Sequence, residues 1–520
     1  MTGLADGKGP DGPKSAIVPP SLMSAAQANP DQTFNVIVEG SKGQSSGGVA
    51  SDVTTGNGKL KRKFLSLSGV SASISGKDLV KLAKNPHVSA IVPDVQMKTS
   101  DYQSAEMWRQ STGVSSLWSK PAVTCAKNSR TGLKLDPTCV PAPAVLAPQA
   151  PTIAILDSGI DASKAADFGS RIVARANFVA SEPGAQGDPD GHGTMVAGAA
   201  AGGATDHSGA APNAPLVDVR VADSHGQAMT SDILAGIDWV LATKAQYGIK
   251  VANLSLAGTT ETSFQFDPLD LAVEKLWLNG IVVVVAAGNY GQPDGPVKLS
   301  GPGNDPFVIT VGATDVRQTA DPSDDTRAPW SAYGYTADGF LKPEISAPGR
   351  FMVLPSPAGS FIQTTHPDRV TAPGYMWMSG TSFSSPIVAG AAAQLLARHP
   401  DWSPDQVKGA LMSTATRLAG GLTGLGVGEV NAAAAAAVAS PPNPNQHLND
   451  FVTVDPTTGL NTFVASNWAS AVSTSSNWTE SNWTESNWTE SNWTESNWTE
   501  SNWTESNWTE SNWTESNWTE

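Results

Sequence analysis

Two cysteines in 520 residues are too few for a disulfide-built scaffold, and no Cys/His pair has zinc-ligand spacing. Cys125 and Cys139 share one irregular stretch rich in Pro, Lys and Asn, away from any catalytic signature, which excludes a cysteine nucleophile. Paired, they would close a loop of about 15 residues and contribute about 3 kcal/mol on the chain-entropy account. That pairing implies an oxidising compartment; the competing reading is two reduced surface thiols. Long apolar runs are also missing. The longest, 281–287 and 432–439, hold about eight residues against the roughly 20 of a membrane-spanning helix. Residues 1–31 are rich in Gly, Pro, Ser and Ala and contain no apolar h-region, so no secretory signal is visible. Basic residues are outnumbered 48 to 32, and nine of the sixteen net negative charges sit in a C-terminal repeat. A chain of that sign has no reason to bind nucleic acid. His87, His207, His225, His366, His399 and His447 show no metal-ligand spacing and read as loop or cap residues.

Against these absences stand several short blocks with chemical content. Thr152-Ile153-Ala154-Ile155-Leu156 is an apolar run suited to a buried parallel strand, and Asp157-Ser158-Gly159 follows it. The end of such a strand is where open α/β sheets place their chemistry. His192-Gly193-Thr194 opens a small-residue helix. Gly380-Thr381-Ser382 opens another, putting a serine at a helix N-terminus among oriented N–H groups. The β-branched strand 281–285 runs into Ala286-Ala287-Gly288-Asn289, and Asn289 can donate its amide to an oxyanion. Residues 251–258 read as a strand whose open edge can pair with an extended peptide. Taken singly, Asp157 is a turn or cap residue and Asn289 a Gly-Asn turn. Taken together, they supply the nucleophile, base, orienting carboxylate and oxyanion donor of acyl transfer.

These blocks resemble the subtilisin-like serine proteases over roughly residues 105–440, including the order Asp, His, Ser and the segment Lys342-Pro343-Glu344-Ile345-Ser346-Ala347-Pro348-Gly349. The resemblance implies an α/β, three-layer fold with a mostly parallel sheet. It implies that Ser382 is the nucleophile, His192 the general base and then acid, Asp157 its orienter and Asn289 the oxyanion donor. Ser255, Leu256, Ala257 and Gly258 would form one wall of the S1 pocket. Met195 and Ile387 depart from the family, where many relatives carry histidine; neither position carries the proton transfer. No cofactor is required. Calcium is bound by many relatives through a loop after the histidine helix, but here that loop, 202–209, is short and holds one carboxylate, against the six to eight oxygens calcium takes. Other calcium sites are left open.

Five segments are expected. Residues 1–32 are a flexible segment. Residues 33–98 alternate strands with a helix at 76–83 and resemble the inhibitory prodomain of the family, including its closing strand and Pro93-Asp94 ending. A template of that kind suits a fold dominated by slow non-local pairing. Lys61-Arg62-Lys63 reads as a solvated strand end. Residues 105–440 are the peptidase, 441–475 a linker, and 476–520 nine copies of Ser-Asn-Trp-Thr-Glu, with Ser466-Asn467-Trp468 a degenerate earlier copy. A period of five matches neither helix nor strand, so the tail reads as low-complexity disorder; a surface-binding role and a β-solenoid are the competing readings. The whole points to a secreted, monomeric, self-processing serine endopeptidase acting on proteins or peptides. Its own prodomain would be its inhibitor, and its signal would be removed ahead of residue 1. The competing class is a catalytically silent surface or adhesion protein that works through the tryptophan repeats.

Overall fold

The computed structural model describes residues 16–94, 96–97, 107–119, 144–258, 260–292, 295–317, 319–418 and 424–474. The cysteine pair, the 98–106 junction and the nine repeats lie outside these described residues.

Strand Thr33–Gly40 carries apolar side chains on both faces. Val36 and Val38 point to a small core with Val49, Val53, Val70, Ile74 and Leu79. Ile37, one residue out of phase, points the other way and joins Phe64, Leu67 and Val92 in the main core of the molecule. The strand therefore needs cover on both sides. Helices Ser46–Thr55 and Gly76–Leu82 cover one face of a four-stranded antiparallel sheet. Its strand order is Lys59–Lys63, Gly69–Ser75, Thr33–Gly40, Val88–Pro93. The segment expected as the peptidase covers the other face.

This unit departs from expectation in three places. The segment 1–32 is not flexible throughout: Pro20–Ala28 is a helix packed on Gly76–Leu82, with Leu22 and Ala26 buried. Its apolar spacing is short and starts after a proline, so it is weak as a sequence signal. The run 63–74, whose residues read as one strand, instead spans the end of Lys59–Lys63, a bend at 64–68 and most of Gly69–Ser75. The basic run at 61–63 is not simply a solvated strand end. Arg62 donates to the carbonyls of Ser231 (2.9 Å) and Phe178 (3.0 Å) and pairs with Asp232 at 3.2 Å. A guanidinium has five donors in a planar fork, and only contacts distant in sequence could engage them.

The peptidase is built on a sheet ordered Ile172–Asn177, Leu216–Arg220, Thr152–Asp157, Ile249–Leu254, Val282–Ala286, Ile309–Asp315, with all of these neighbours parallel. Ile309–Asp315 also pairs in parallel with Ile345–Pro348 and antiparallel with Thr326–Arg327. The β-branched run 282–285 is wholly buried, as a central parallel strand must be. Strands are added first on one side of Thr152–Asp157 and then on the other, so Asp157 ends at a topological switch point. Helices His192–Ala201 and Thr381–Arg398 pack on each other. Helices Thr230–Tyr247 and Pro268–Leu278 form the other layer. The first pair approaches closely because its contact is made of small residues. A Cβ on Gly390 would fall 2.6 Å from the Ala200 carbonyl oxygen.

The stretch expected as a linker, 441–475, is folded through residue 474. A helical turn Gln446–Asn449, a hairpin of Val452–Val454 with Asn461–Phe463 and a helix Ala465–Thr474 lie against the peptidase. Phe463 and Trp468 are buried. Burying each of these aromatic rings contributes about 1.5–3 kcal/mol, enough to hold a segment that its Pro/Asn-rich start disguises. Among the described residues no helix is long and apolar enough to cross a membrane.

Candidate active site

Three secondary-structure ends converge. Asp157 closes the central strand, His192 begins its helix, and Ser382 is the second residue of the helix Thr381–Arg398. All three side chains are buried beneath the sheet's C-terminal edge. Asp157 Oδ1 lies 2.7 Å from His192 Nδ1 and also accepts the Ser158 N–H at 2.8 Å. With Nδ1–H donating to the carboxylate, the lone pair sits on Nε2, which has no hydrogen-bond partner among the described residues. The Phe383 ring lies against the imidazole at 5.4 Å between centroids. Ser382 Oγ is turned to the Ser255 carbonyl, at 3.4 Å, and has not yet engaged Nε2. Resting sites of this kind often tighten only with substrate bound.

Asn289 leaves the strand end 282–286 through Gly288, whose φ of 106° turns the chain sharply. Its Oδ1 accepts from Thr381 N–H at 2.8 Å and Thr381 Oγ at 3.2 Å. The amide oxygen is thereby committed, and Nδ2 is left as a donor. Ser382 N–H lies in the first helical turn, where backbone donors have no intrahelical acceptor.

The four residues expected as a substrate wall differ among themselves. Ser255 faces inward: its hydroxyl donates to the Ser382 carbonyl at 2.7 Å, meets Ser385 Oγ at 3.1 Å and accepts from Asn253 at 2.9 Å. It locks the helix Thr381–Arg398 to the strand Ile249–Leu254. Leu256 is buried, Ala257 is half-buried, and Gly258 N–H is bonded to the Gly301 carbonyl at 2.9 Å. A second edge escaped the sequence. Ala228–Met229, only two residues long, pairs antiparallel with Gln96–Met97 from the N-terminal region. Just before this pairing, Asp94 accepts from Ser231 N–H at 3.0 Å, a carboxylate at a helix N-terminus. Met195 and Ile387 are fully buried packing residues.

Two further carboxylates surround His192. Asp188 caps the histidine helix, accepting from Gly191 N–H, Thr194 N–H and Ser158 Oγ, each at 2.8 Å. Asp190 Oδ2 accepts from His192 N–H at 3.2 Å. Burial opposes the charged imidazole, but Asp157 by charge and hydrogen bond, with Asp190 and Asp188, outweighs it, and the His192 pKa moves up. Burial, reinforced by Asp188 and Asp157 and opposed by His192, pushes the Asp190 carboxyl up to about 7. Where it is ionised, the Asp190 carboxylate stabilises the imidazolium, and Asp190→Asn removes that charge. The acid limb of kcat/KM is expected to move to lower pH. A profile superimposable on wild type would show that Asp190 does not influence the base.

The short loop 202–209 closes on itself through Gly209 N–H to the Gly202 carbonyl at 2.8 Å. Among the described residues no group of three His, Cys, Asp or Glu side chains is arranged to hold a metal ion.

The profile of the subtilase family matches residues 149–437. Serine protease AprX of Bacillus subtilis is 39% identical over 272 residues, which are 49% of this chain and 59% of the relative. The chain thus spans less than two thirds of that protein's length. Subtilisin NAT of Bacillus subtilis subsp. natto is 31% identical over 424 residues, 80% of this chain and 94% of the relative. Subtilisin DY of Bacillus licheniformis is 37% identical over 286 residues, covering 55% and 90%. The chain belongs to the subtilase family of serine proteases.

Proposed function

We propose that this chain is a secreted serine endopeptidase, made as a self-processing zymogen, with Asp157, His192 and Ser382 as its triad. The observation that carries the reading is the buried 2.7 Å Asp157–His192 pair, which leaves Nε2 unengaged, with Phe383, the residue after Ser382 at the helix N-terminus, packed against the imidazole. Ser382 Oγ gives its proton to Nε2 and attacks the scissile carbonyl carbon. The carbonyl π electrons move onto oxygen, where Asn289 Nδ2–H and Ser382 N–H stabilise the charge. Collapse breaks the C–N bond, and the imidazolium returns the proton to the leaving amine. Water, deprotonated by the same Nε2, then attacks the acyl carbon; the C–Oγ bond breaks, and the imidazolium returns the proton to Ser382 Oγ as the acid leaves. These groups account for each proton transfer without a cofactor. Protein or peptide substrates would lie between the edges at 228–229 and 254–258.

The N-terminal unit is proposed as the inhibitor of this cleft. Its last strand, the Asp94 cap and the Gln96–Met97 pairing deliver the chain to the same edge a substrate would use. The 424-residue match to subtilisin NAT runs well past the 149–437 span and supports a shared N-terminal extension. Cleavage is proposed between about residues 95 and 107. The test is covalent labelling of the purified chain with a fluorophosphonate probe, followed by peptide mapping. An adduct on Ser382 is expected. An unlabelled chain that still binds surfaces through its tail would favour the silent-scaffold reading, to which nothing in the site geometry points.

A further inference from the structure

We infer that the folded C-terminal strap, residues 446–474, positions the substrate-binding loop 260–267, acting through Trp468 and Phe463 on Phe264. The inference rests on the reading of 254–258 as a substrate edge. The strap is fixed at both ends of its path. At its start, Asn445 Nδ2 donates to the Phe307 carbonyl at 3.0 Å and to Asp405 at 2.8 Å, and Asn449 donates to Asp405 at 2.7 Å. Its hairpin then runs along the end of helix Pro268–Leu278, where Asn461 Nδ2 donates to the Leu278 carbonyl at 2.9 Å and Asn279 Nδ2 to the Asn461 carbonyl at 3.1 Å.

From this frame two rings reach inward. Trp468 meets Phe264 edge-on at 5.1 Å and stacks on Phe340 at 6.0 Å. Phe463 lies 5.9 Å from Phe264 and 5.1 Å from Phe307. Phe264 is fully buried at the centre of this cluster, yet it belongs to a loop and not to a helix or strand. Elsewhere the loop is held by polar contacts, among them the Lys298–Glu261 ion pair at 2.5 Å. Asp338 accepts from Phe264 N–H (3.0 Å), Ser263 Oγ (2.6 Å) and Gln265 Nε2 (3.0 Å), and Asn304 Nδ2 donates to the Thr262 carbonyl at 2.8 Å.

The other side of the same loop faces a groove. Thr260, Thr262, Gly258 and Leu269 line it, and Val92 and Pro93 of the N-terminal unit's last strand complete it. A polypeptide therefore already lies against this loop at a point beyond the Gln96–Met97 pairing. Substrate residues several positions before the scissile bond would meet the same surface once that strand has left. The triad is mounted on the central strand and on helices that the strap does not order. Loss of the aromatic wedge should therefore weaken binding of long substrates and leave the chemical step alone.

The experiment compares wild type, Trp468→Ala, Trp468→Phe and Asp338→Asn, each quantified by fluorophosphonate titration, on a single-residue ester and on a pentapeptide anilide. For Trp468→Ala and Asp338→Asn, KM for the pentapeptide should rise about 3- to 10-fold, the range an aromatic pair commands. Values of kcat and the ester kinetics should stay within about twofold, and Trp468→Phe should restore most of the loss. If KM is unchanged in both variants while thermal stability falls, the strap is only structural. If kcat falls on both substrates, the strap acts on the catalytic groups and the positioning role is wrong. Absence of labelling in wild type would instead count against the catalytic reading itself.

Discussion

Ser382→Ala is expected to lower kcat on a chromogenic peptide by about 10⁶, the size of the corresponding loss in subtilisin. His192→Ala should cost nearly as much, and the double variant little more, because the two residues move one proton between them and neither works alone. The prediction follows from the buried Asp157–His192 pair, which leaves Nε2 without a hydrogen-bond partner among the described residues and so free to take the serine's proton. A remnant of about 10³–10⁴ over the uncatalysed rate should survive from Asn289, the helix N-terminus and substrate positioning. The same variant should remain uncut between the N-terminal unit and the peptidase, whereas wild type should acquire a new N-terminus within 95–107. N-terminal sequencing and active-site-normalised kinetics check both halves. A Ser382→Ala protein retaining a tenth of wild-type turnover would remove Ser382 from the mechanism.

Asn289→Ala should lower kcat by about 10²–10³, with KM little changed; this too is the subtilisin magnitude for loss of an oxyanion donor. The structure adds a reason to expect the split. Asn289 Oδ1 is held by Thr381 N–H and Oγ, so Nδ2 is aimed before substrate arrives and bonds best to the charge that develops later. Alanine removes the donor and also leaves Thr381 N–H, at the first turn of the nucleophile helix, without its acceptor. Asn289→Asp keeps an acceptor for Thr381 but replaces the donor by a charge that repels an oxyanion. It should be at least as slow as alanine while holding the helix better. A change confined to KM in both variants would mean that Asn289 binds ground-state substrate and does not stabilise the transition state.

The parts of this molecule that could be read from the sequence are those whose chemistry or burial is local. Asp157, His192, Asn289 and Ser382 each sit in a contiguous signature because each stands at the end of a strand or the start of a helix. The β-branched run 282–285 announced a central strand because both its faces are buried. What escaped depends on partners far along the chain. Ala228–Met229 is too short to carry a period and becomes an edge only because Gln96–Met97 lies beside it. Arg62 gave no sign that its acceptors would be Ser231, Phe178 and Asp232. Helix Ser46–Thr55 hides behind Gly47 and Gly48 in its first turn, which lower helix propensity, while Ser45 restores a cap. Trp468 groups in sequence with the repeat it resembles, although its ring is buried against Phe264 and Phe340, which no nearby residue predicts.

The two-faced strand Thr33–Gly40 bears on how long inhibition could last. While the N-terminal unit is docked, Ile37, Phe64, Leu67 and Val92 are shared with the peptidase core. Once cut away and released, the same sheet would have a bare apolar side in water. It would keep only the small interior of Val36, Val38 and their neighbours to oppose the entropy of some eighty residues, in a size range where a single core is marginal. Such a piece would open often, and an opened chain is food for the enzyme it has just left. Activation would then behave as a ratchet: its timing set by the first departure, and its direction by the digestion of the only copy able to return.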